Sequence, residues 1–198
     1  MRQFVLVGHE APTTAEFPLD GLASEAGRFD LLARSVLAGL LTSHGVREDA
    51  RVHLVLDDTL TVSVDGATVR NLHPDERSTA ALLRSAIEAR EDAIGHQPAE
   101  PSPGLSVRRM GLAATLDRLA DDGHLLALHE DGSDASAVAP PPESIFVLSD
   151  HRDFAAGDLA ALDDRGADRL SLGPTALHAD QAVTVANHWL DTDGWRTF

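Results

Sequence analysis

The chain predicts an α/β protein whose sheet is largely parallel toward its C-terminal end. Two observations carry this. Short runs rich in Val, Ile, Leu and Phe, at residues 4–7, 52–56 and 145–148, have the length and composition of buried strands. They alternate with longer segments whose apolar residues recur at helical spacing. With 43% hydrophobic residues in 198, the chain can bury a core, and we expect one domain over residues 1–198.

In order, residues 4–7 predict a first buried strand, followed by a loop containing Pro12 and Pro18. Leu31, Leu32, Val36, Leu40 and Leu41 line one face of a helix expected from about 30 to 44. Residues 52–56 predict a strand, Asp57-Asp58 a turn, and residues 60–64 a second strand; Asp65-Gly66 predicts a hairpin turn into a strand at 67–70. Pro74 opens a long helix, about 75–94, with Asp75 and Glu76 at its positive end. The three prolines of residues 96–103 predict a linker or lid. A helix (113–120), a short strand (125–128), an acidic loop with Pro140 to Pro142 in a row, and a strong strand (145–148) follow. A helix around 159–164, a strand at 169–171 and a last helix from about 178 to 190 close the pattern.

Charge narrows the setting. All 16 basic residues are Arg, none Lys; the 32 acids are 22 Asp and 10 Glu, giving a formal charge of −16. Such a surface would ordinarily repel nucleic acid. At molar salt, however, the Debye length is about 3 Å, and small hydrated carboxylates become favourable. We therefore read the composition as that of a haloarchaeal protein, in which net charge reports the solvent and says little about the partner. The absence of Cys excludes disulfides, thiolate metal sites and every Cys nucleophile. The N-terminal apolar run is too short for a signal peptide, and no stretch approaches a membrane span, so a soluble cytoplasmic protein is expected.

There is no Gly-x-Gly-x-x-Gly after the first strand and no phosphate-cradling Gly-Lys loop. The ten His are scattered, His124 and His129 toward opposite ends of one strand, and no metal is expected. Asp150-His151 follows the strongest strand, as a ligand site or as a helix cap. More informative are residues 169–180. A strand ends, Gly173-Pro174 turns the chain, and a helix starts within a few residues, leaving backbone groups to face either solvent or a small ligand.

That turn, Ser171-Leu172-Gly173-Pro174 with Leu177-His178-Ala179, taken with the strand ending Ser149-Asp150-His151, resembles the C-terminal half of the SPOUT superfamily of knotted α/β methyltransferases. Three further stretches narrow the resemblance: Gly27 to Leu32, Pro74 to Arg77, and Pro103 to Arg109. In order, from Phe4 to Leu190, the five are similar to the archaeal tRNA (pseudouridine-54 N1)-methyltransferase, or TrmY, family. The resemblance implies a SPOUT-type mostly parallel sheet with a C-terminal trefoil knot, and S-adenosyl-L-methionine as cofactor. It further implies a tRNA T-loop as substrate and a homodimer with a shared site. It implies cofactor contacts from Leu128, Ser149, Ser171, Leu172, Gly173, Pro174, Thr175, Ala176, Leu177 and Ala182. The family usually carries Gly where Ser149 stands and often Cys at Ala182. Ser149 would narrow the pocket, and Ala182 means that a thiol there is dispensable in an active enzyme.

The missing Cys discriminates between reactions. Methylation at C5 of a uracil ring normally needs a Cys adduct, whereas N1 of pseudouridine, once deprotonated, attacks a methyl group through its own lone pair. The protein must align the two atoms, accept a proton and stabilise charge on the ring. Asp30 is the expected proton acceptor, with Arg28 holding a base oxygen or flanking phosphate; capping of the following helix is the other reading of Asp30. Arg77, Arg108 and Arg109 are the expected tRNA contacts, against intramolecular pairing of Arg108 and Arg109 with nearby Asp. In molar salt, binding would lean on shape, bidentate Arg bonds and a splayed-out base. A SPOUT methyltransferase for pseudouridine in ribosomal RNA, a non-catalytic RNA-binding protein of the same fold, and an unrelated acidic α/β protein are the alternatives.

Overall fold

A computed structural model describes residues 1–95 and 97–197. In chain order they form β1 (Arg2–Gly8), α1 (Phe29–Leu40), β2 (Leu41–Thr42), β3 (Gly45–Val46), β4 (Ala50–Leu56), β5 (Leu60–Asp65) and α2 (Glu76–Glu88). Then come β6 (Ala99–Ser102), β7 (Leu105–Arg108), α3 (Leu112–Leu119), β8 (His124–Asp134), β9 (Ser144–Ser149), α4 (Ala156–Asp163), β10 (Asp168–Ser171) and α5 (Ala179–Asp191).

Eight strands form one sheet in the order β10-β8-β9-β1-β4-β5-β7-β6. Neighbours from β10 to β4 run parallel, and those from β4 to β6 run antiparallel. The mixed α/β class and the parallel C-terminal half thus agree with the sequence. Strand alternation sends Phe4, Leu6, Val52, Leu54 and Phe146 to one face, beneath α1, α2 and α5. It sends Val5, Val7, Val55, Ile145 and Val147 to the other, beneath α3 and α4. The parallel strands are therefore covered on both faces, which is why they read as continuous apolar runs. No helix among the described residues is long and apolar enough to cross a membrane.

Several expectations are corrected. The first helix stops at Leu40 rather than near 44, because Leu41-Thr42 turns extended and pairs with Gly45-Val46 as a two-stranded hairpin. Residues 67–70 are not a strand. Asp65 instead closes a turn by accepting from the amides of Thr68 and Val69, and the antiparallel partner of β5 is β7. The α-helix after Pro74 ends at Glu88 and continues as a 3-10 turn, Ala89–Asp92; its N-cap Asp75 accepts from the Ser78 amide at 2.8 Å. The proline-bearing segment after it is an edge strand, β6, where a residue lacking N–H costs no ladder bond. His96, the first residue of the predicted linker, lies outside the described residues.

Around α5 the packing is dense. Trp189 is fully buried, with its ring edge-on to Phe146 at 6.2 Å, and its indole Nε1 donates to the Ala135 carbonyl at 3.0 Å. Val183 and Ala186 are buried against the main core as well, so the apolar stripe of α5 is spent inside the chain.

Candidate active site

The cavity that matters lies at the C-terminal ends of β8, β9 and β10, where side-by-side parallel strands leave a crevice. It is opened by an irregularity. Arg169 pairs with Ala127, but the next residue, Leu170, pairs with Ser133, so residues 128–132 of β8 bow away from β10. Gly132 allows the two strands to close again beyond the bow: a Cβ there would stand 2.5 Å from the Leu170 backbone. Leu128 and Gly132 form one wall, Leu148, Ser149 and Asp150 another, and the turn from Ser171 into α5 a third.

All ten residues expected at the cofactor line this one cavity: Leu128, Ser149, Ser171 to Leu177, and Ala182. Its volume of about 820 Å³ suits a ligand of nucleoside size with a side chain. Two features suit a polar ligand. Among the described residues, the amides of Gly173, Thr175, Ala176 and Leu177 donate to no protein acceptor, and the buried Ser149 hydroxyl has no hydrogen-bond partner. If a cofactor atom satisfies that hydroxyl, Ser149→Gly should weaken S-adenosylhomocysteine binding about 2- to 10-fold by calorimetry. Tighter binding would mean the hydroxyl only narrows the space.

Arg28 and Asp30 are not on the wall of this cavity. Gly27 and Arg28 are both left-handed, at φ 53° and 61°. A Cβ on Gly27 would fall 1.9 Å from the Glu10 carbonyl oxygen, so only glycine permits this bend. Arg28 occupies the N-cap position of α1 with no side-chain cap bond, which removes the capping role expected of Asp30. The Asp30 carboxylate, 5% exposed, instead accepts from Arg28 (3.0 and 3.2 Å) and from Arg34 Nη1 (2.8 Å). Burial pushes its pKa up, but the two guanidinia outweigh that and hold it below the ordinary value. Arg34 also donates to Asp180 at 3.1 Å, in the first turn of α5 beside cavity residues Ala179 and Ala182. A charged chain thus runs from Asp30 to the back of the cavity wall. It ends on Asp180 Oδ1, a buried carboxylate oxygen without a partner.

The sequence reading missed a second cluster. His9, just past β1, donates its backbone amide to Asp150 (2.9 Å), and its ring bridges Asp150 (3.2 Å) and Asp158 (2.7 Å). Asp150 is therefore not a helix cap; with His151 it lines the cavity, as the ligand-site reading expected, and it anchors that wall to β1 and α4. Burial lowers the His9 pKa, but hydrogen bonds to Asp158 and Asp150 outweigh it and leave the ring above its usual 6.5. Stability from this bridge is full below the unfolded value and is lost as pH rises through the folded one. The melting temperature should therefore fall as pH is raised from about 6.5, and the decline should vanish in His9→Gln. A persisting decline would remove His9 as its source.

The expected tRNA contacts are dispersed. Arg77 pairs with Asp20 on the surface, and Arg109 pairs with Glu91 at 2.5 Å and donates to the Arg90 carbonyl. Arg108 has no carboxylate within ion-pair distance among the described residues, and one of its nitrogens, Nε, is buried without a partner. No group of three or more His, Cys, Asp or Glu placed to hold a metal is found among the described residues.

A mixed α/β sheet with a ligand-sized cavity at the C-terminal ends of its parallel strands defines the class: a fold built to bind a small cofactor at a strand-to-helix turn. A solved structure of Nep1 from Archaeoglobus fulgidus, bound to S-adenosylhomocysteine, shares this fold with a TM-score of 0.66 at 15% identity, over 94% of this chain and 95% of that one. Residues 1–195 match the family described as "Putative SAM-dependent RNA methyltransferase". The chain belongs to that family, and is a methyltransferase that takes S-adenosylmethionine. It is 55% identical to a tRNA (pseudouridine(54)-N(1))-methyltransferase of Haloarcula marismortui and 52% to one of Haloferax volcanii, each over the full length of both chains. A protein of the same name from Methanopyrus kandleri is 41% identical over 96% of this chain and 93% of its own.

Proposed function

We propose that this protein methylates N1 of pseudouridine 54 in the T-loop of tRNA. The observation that carries the reading is full-length identity above half with relatives named for that reaction. The residues support it independently: with no Cys in the chain, the acceptor atom must be one that needs no enzyme adduct, and N1 of pseudouridine qualifies.

The residues that would hold the cofactor are Leu128, Ser149, Ser171 to Leu177 and Ala182. A sulfonium-activated methyl group is what it supplies when bound. The free amides of the 173–177 turn would read the edge of its base, as backbone donors that cost no side-chain entropy. Asp30 would take the N1 proton. Of its two oxygens, Oδ1 accepts only one hydrogen bond, from Arg28 Nε, and so keeps a lone pair for an incoming N–H. Arg28 would then hold the ring oxygen that gains charge, and Arg34 would keep Asp30 ionised. Arg77, Arg108 and Arg109 would hold RNA phosphates, Arg77 and Arg109 by exchanging Asp20 and Glu91 for them.

The reading also includes a cytoplasmic, salt-adapted homodimer of single-domain subunits whose C-terminal strand and helix are knotted. The knot is supported by the β8–β9 connection, which runs against α5 through the Trp189–Ala135 bond while β10 pairs on the far side of β8. The dimer is supported by Leu177, an exposed large apolar residue at the cavity mouth, and sedimentation at molar KCl tests it. The central test incubates the purified chain at molar KCl with labelled cofactor and T-arm hairpins bearing pseudouridine or uridine at the target. Label should enter only the pseudouridine hairpin. Equal labelling of both, or of neither, would overturn the assignment.

A further inference from the structure

A second cavity, of about 300 Å³, opens on the opposite half of the molecule, over the antiparallel strands and on the face that bears α3. Its floor follows from register. Arg51 lies opposite Asp65, His53 opposite Ser63, and Ser63 opposite Ser106, so these side chains share one face, with Arg108 two residues along β7. Arg118, from the last turn of α3, forms a side wall. Further along the sheet the same face is closed by α3, where Thr61 meets Thr115 at 2.8 Å; here it is open.

Three arginines, Arg51, Arg108 and Arg118, line this basin with two carboxylates, Asp65 and Glu100. Eleven of the sixteen Arg are in contact with a carboxylate. Arg51 is among them, held by Asp65 at 2.7 Å. Arg108 and Arg118, of the five left over, line this cavity with no carboxylate within ion-pair distance among the described residues, and Glu100, on the same wall, attracts Arg108 only at longer range. Arg108 Nε is buried and bonds to nothing. His53 beneath them is fully buried and neutral, its pKa pushed down to about 3 by burial and by the charges of Arg118, Arg51 and Arg108. Its tautomer is fixed: Gln3 donates its amide to Asp122 and so presents its oxygen to His53 Nε2, leaving Nδ1 to accept from Ser63. The floor at His53 is thus polar and uncharged, and Arg108 and Arg118 line the cavity around it.

We infer that this basin seats a backbone phosphate of the RNA, gripped by Arg108 and Arg118, at a point remote from the methylated base. The inference rests on the RNA-substrate reading above. A phosphate fits because guanidinium forks match its oxygens bidentately, a contact that survives when salt has screened longer-range attraction. Remoteness follows from the sheet: at about 4.8 Å per strand, β5 is some 15 Å from β9, whose end forms the cofactor cavity. Within the inference, we assign this phosphate to the stem beyond the T-loop, which the two RNAs below separate from a phosphate of the loop. Arg118, which had no place among the expected RNA contacts, becomes one.

The test is Arg108→Gln with Arg118→Gln, in single and double variants, at molar KCl. Affinity is measured by fluorescence anisotropy for full-length tRNA and for a T-loop closed by two base pairs, and turnover is measured separately. The double variant should lose tenfold or more affinity for tRNA and less than twofold for the short loop. Its melting temperature should change little, because among the described residues neither arginine is in an ion pair and Arg108 gives up only a 3.4 Å bond to Ser106 Oγ. Inorganic phosphate should compete with tRNA on the native chain and fail to do so on the double variant. Unchanged tRNA affinity overturns the inference, even if phosphate binds, since the site would then serve a free anion. Equal loss on both RNAs overturns the remote placement. A shift in oligomeric state would mean that a partner subunit's acid fills the basin, and overturns it too. Loss of tRNA affinity without any methyl transfer by the native chain would support this site while removing the catalytic reading.

Discussion

Asp30→Asn should reduce methyl transfer about 100- to 1000-fold while leaving S-adenosylhomocysteine affinity within a few-fold. The two effects separate because Asp30 lies off the cofactor cavity and touches it only through Arg34 and Asp180. Asparagine keeps the shape of the side chain, but its amide nitrogen must face one of the two guanidinia, so proton acceptance and the ion pairs fail together. Stability falls with them, which makes the pH profile the cleaner readout. The native carboxyl is held below its ordinary value, so native activity should persist into mild acid and fall only when that group protonates. The variant should show a flat residual rate. Turnover within threefold of native would remove Asp30 from the proton transfer.

Trp189→Ala should cost about 4 kcal/mol of stability in denaturant unfolding at molar KCl, a large share of the roughly 5–15 kcal/mol that holds a domain of this size. The indole is completely buried, and its edge-on contact with Phe146 continues into the Phe146–Phe4 stack at 5.4 Å. Cavity formation there reaches three elements at once. The loss should also reach the cofactor, because the Trp189–Ala135 bond pins the stretch just beyond Glu130, Gly132 and Asp134, which line the cavity. Trp189→Phe separates the two contributions. It keeps most of the ring and should cost only about 1–2 kcal/mol, for the carbonyl left unpaired. A cost below 1.5 kcal/mol for the alanine variant would mean that the site can collapse around the gap.

The main strands and all five α-helices were legible because each writes its own local pattern. β1 and β9 hold unbroken apolar runs, β4 one interrupted only by His53, and α1 shows its stripe in four leucine and valine positions. What failed was non-local. β5 pairs with β7 across the whole of α2, so nothing near Asp65-Gly66 could reveal that residues 67–70 were not its partner. β6 was hidden by prolines that exclude a central strand and are tolerated at an edge. The same division holds at the site. The 171–177 turn is contiguous, and its residues could be named from sequence. The links Arg34–Asp180 and His9–Asp158 join positions nearly 150 residues apart and exist only once the sheet has assembled. Arg108 was singled out, but Arg118 was not, since its significance lies in what fails to neutralise it.

At the entrance to α1, backbone conformation and side-chain contact ask for different residues. Arg28 sits at φ 61°, ψ 34°, a conformation that glycine adopts freely and arginine only at a cost of about 1 kcal/mol. A glycine there would relieve that strain. It would also delete the guanidinium that grips Asp30, and the turn would become a hinge with nothing to hold. The left-handed backbone at Arg28 is thus set against the two hydrogen bonds its guanidinium gives a buried carboxylate, and the proposed proton transfer would depend on that balance.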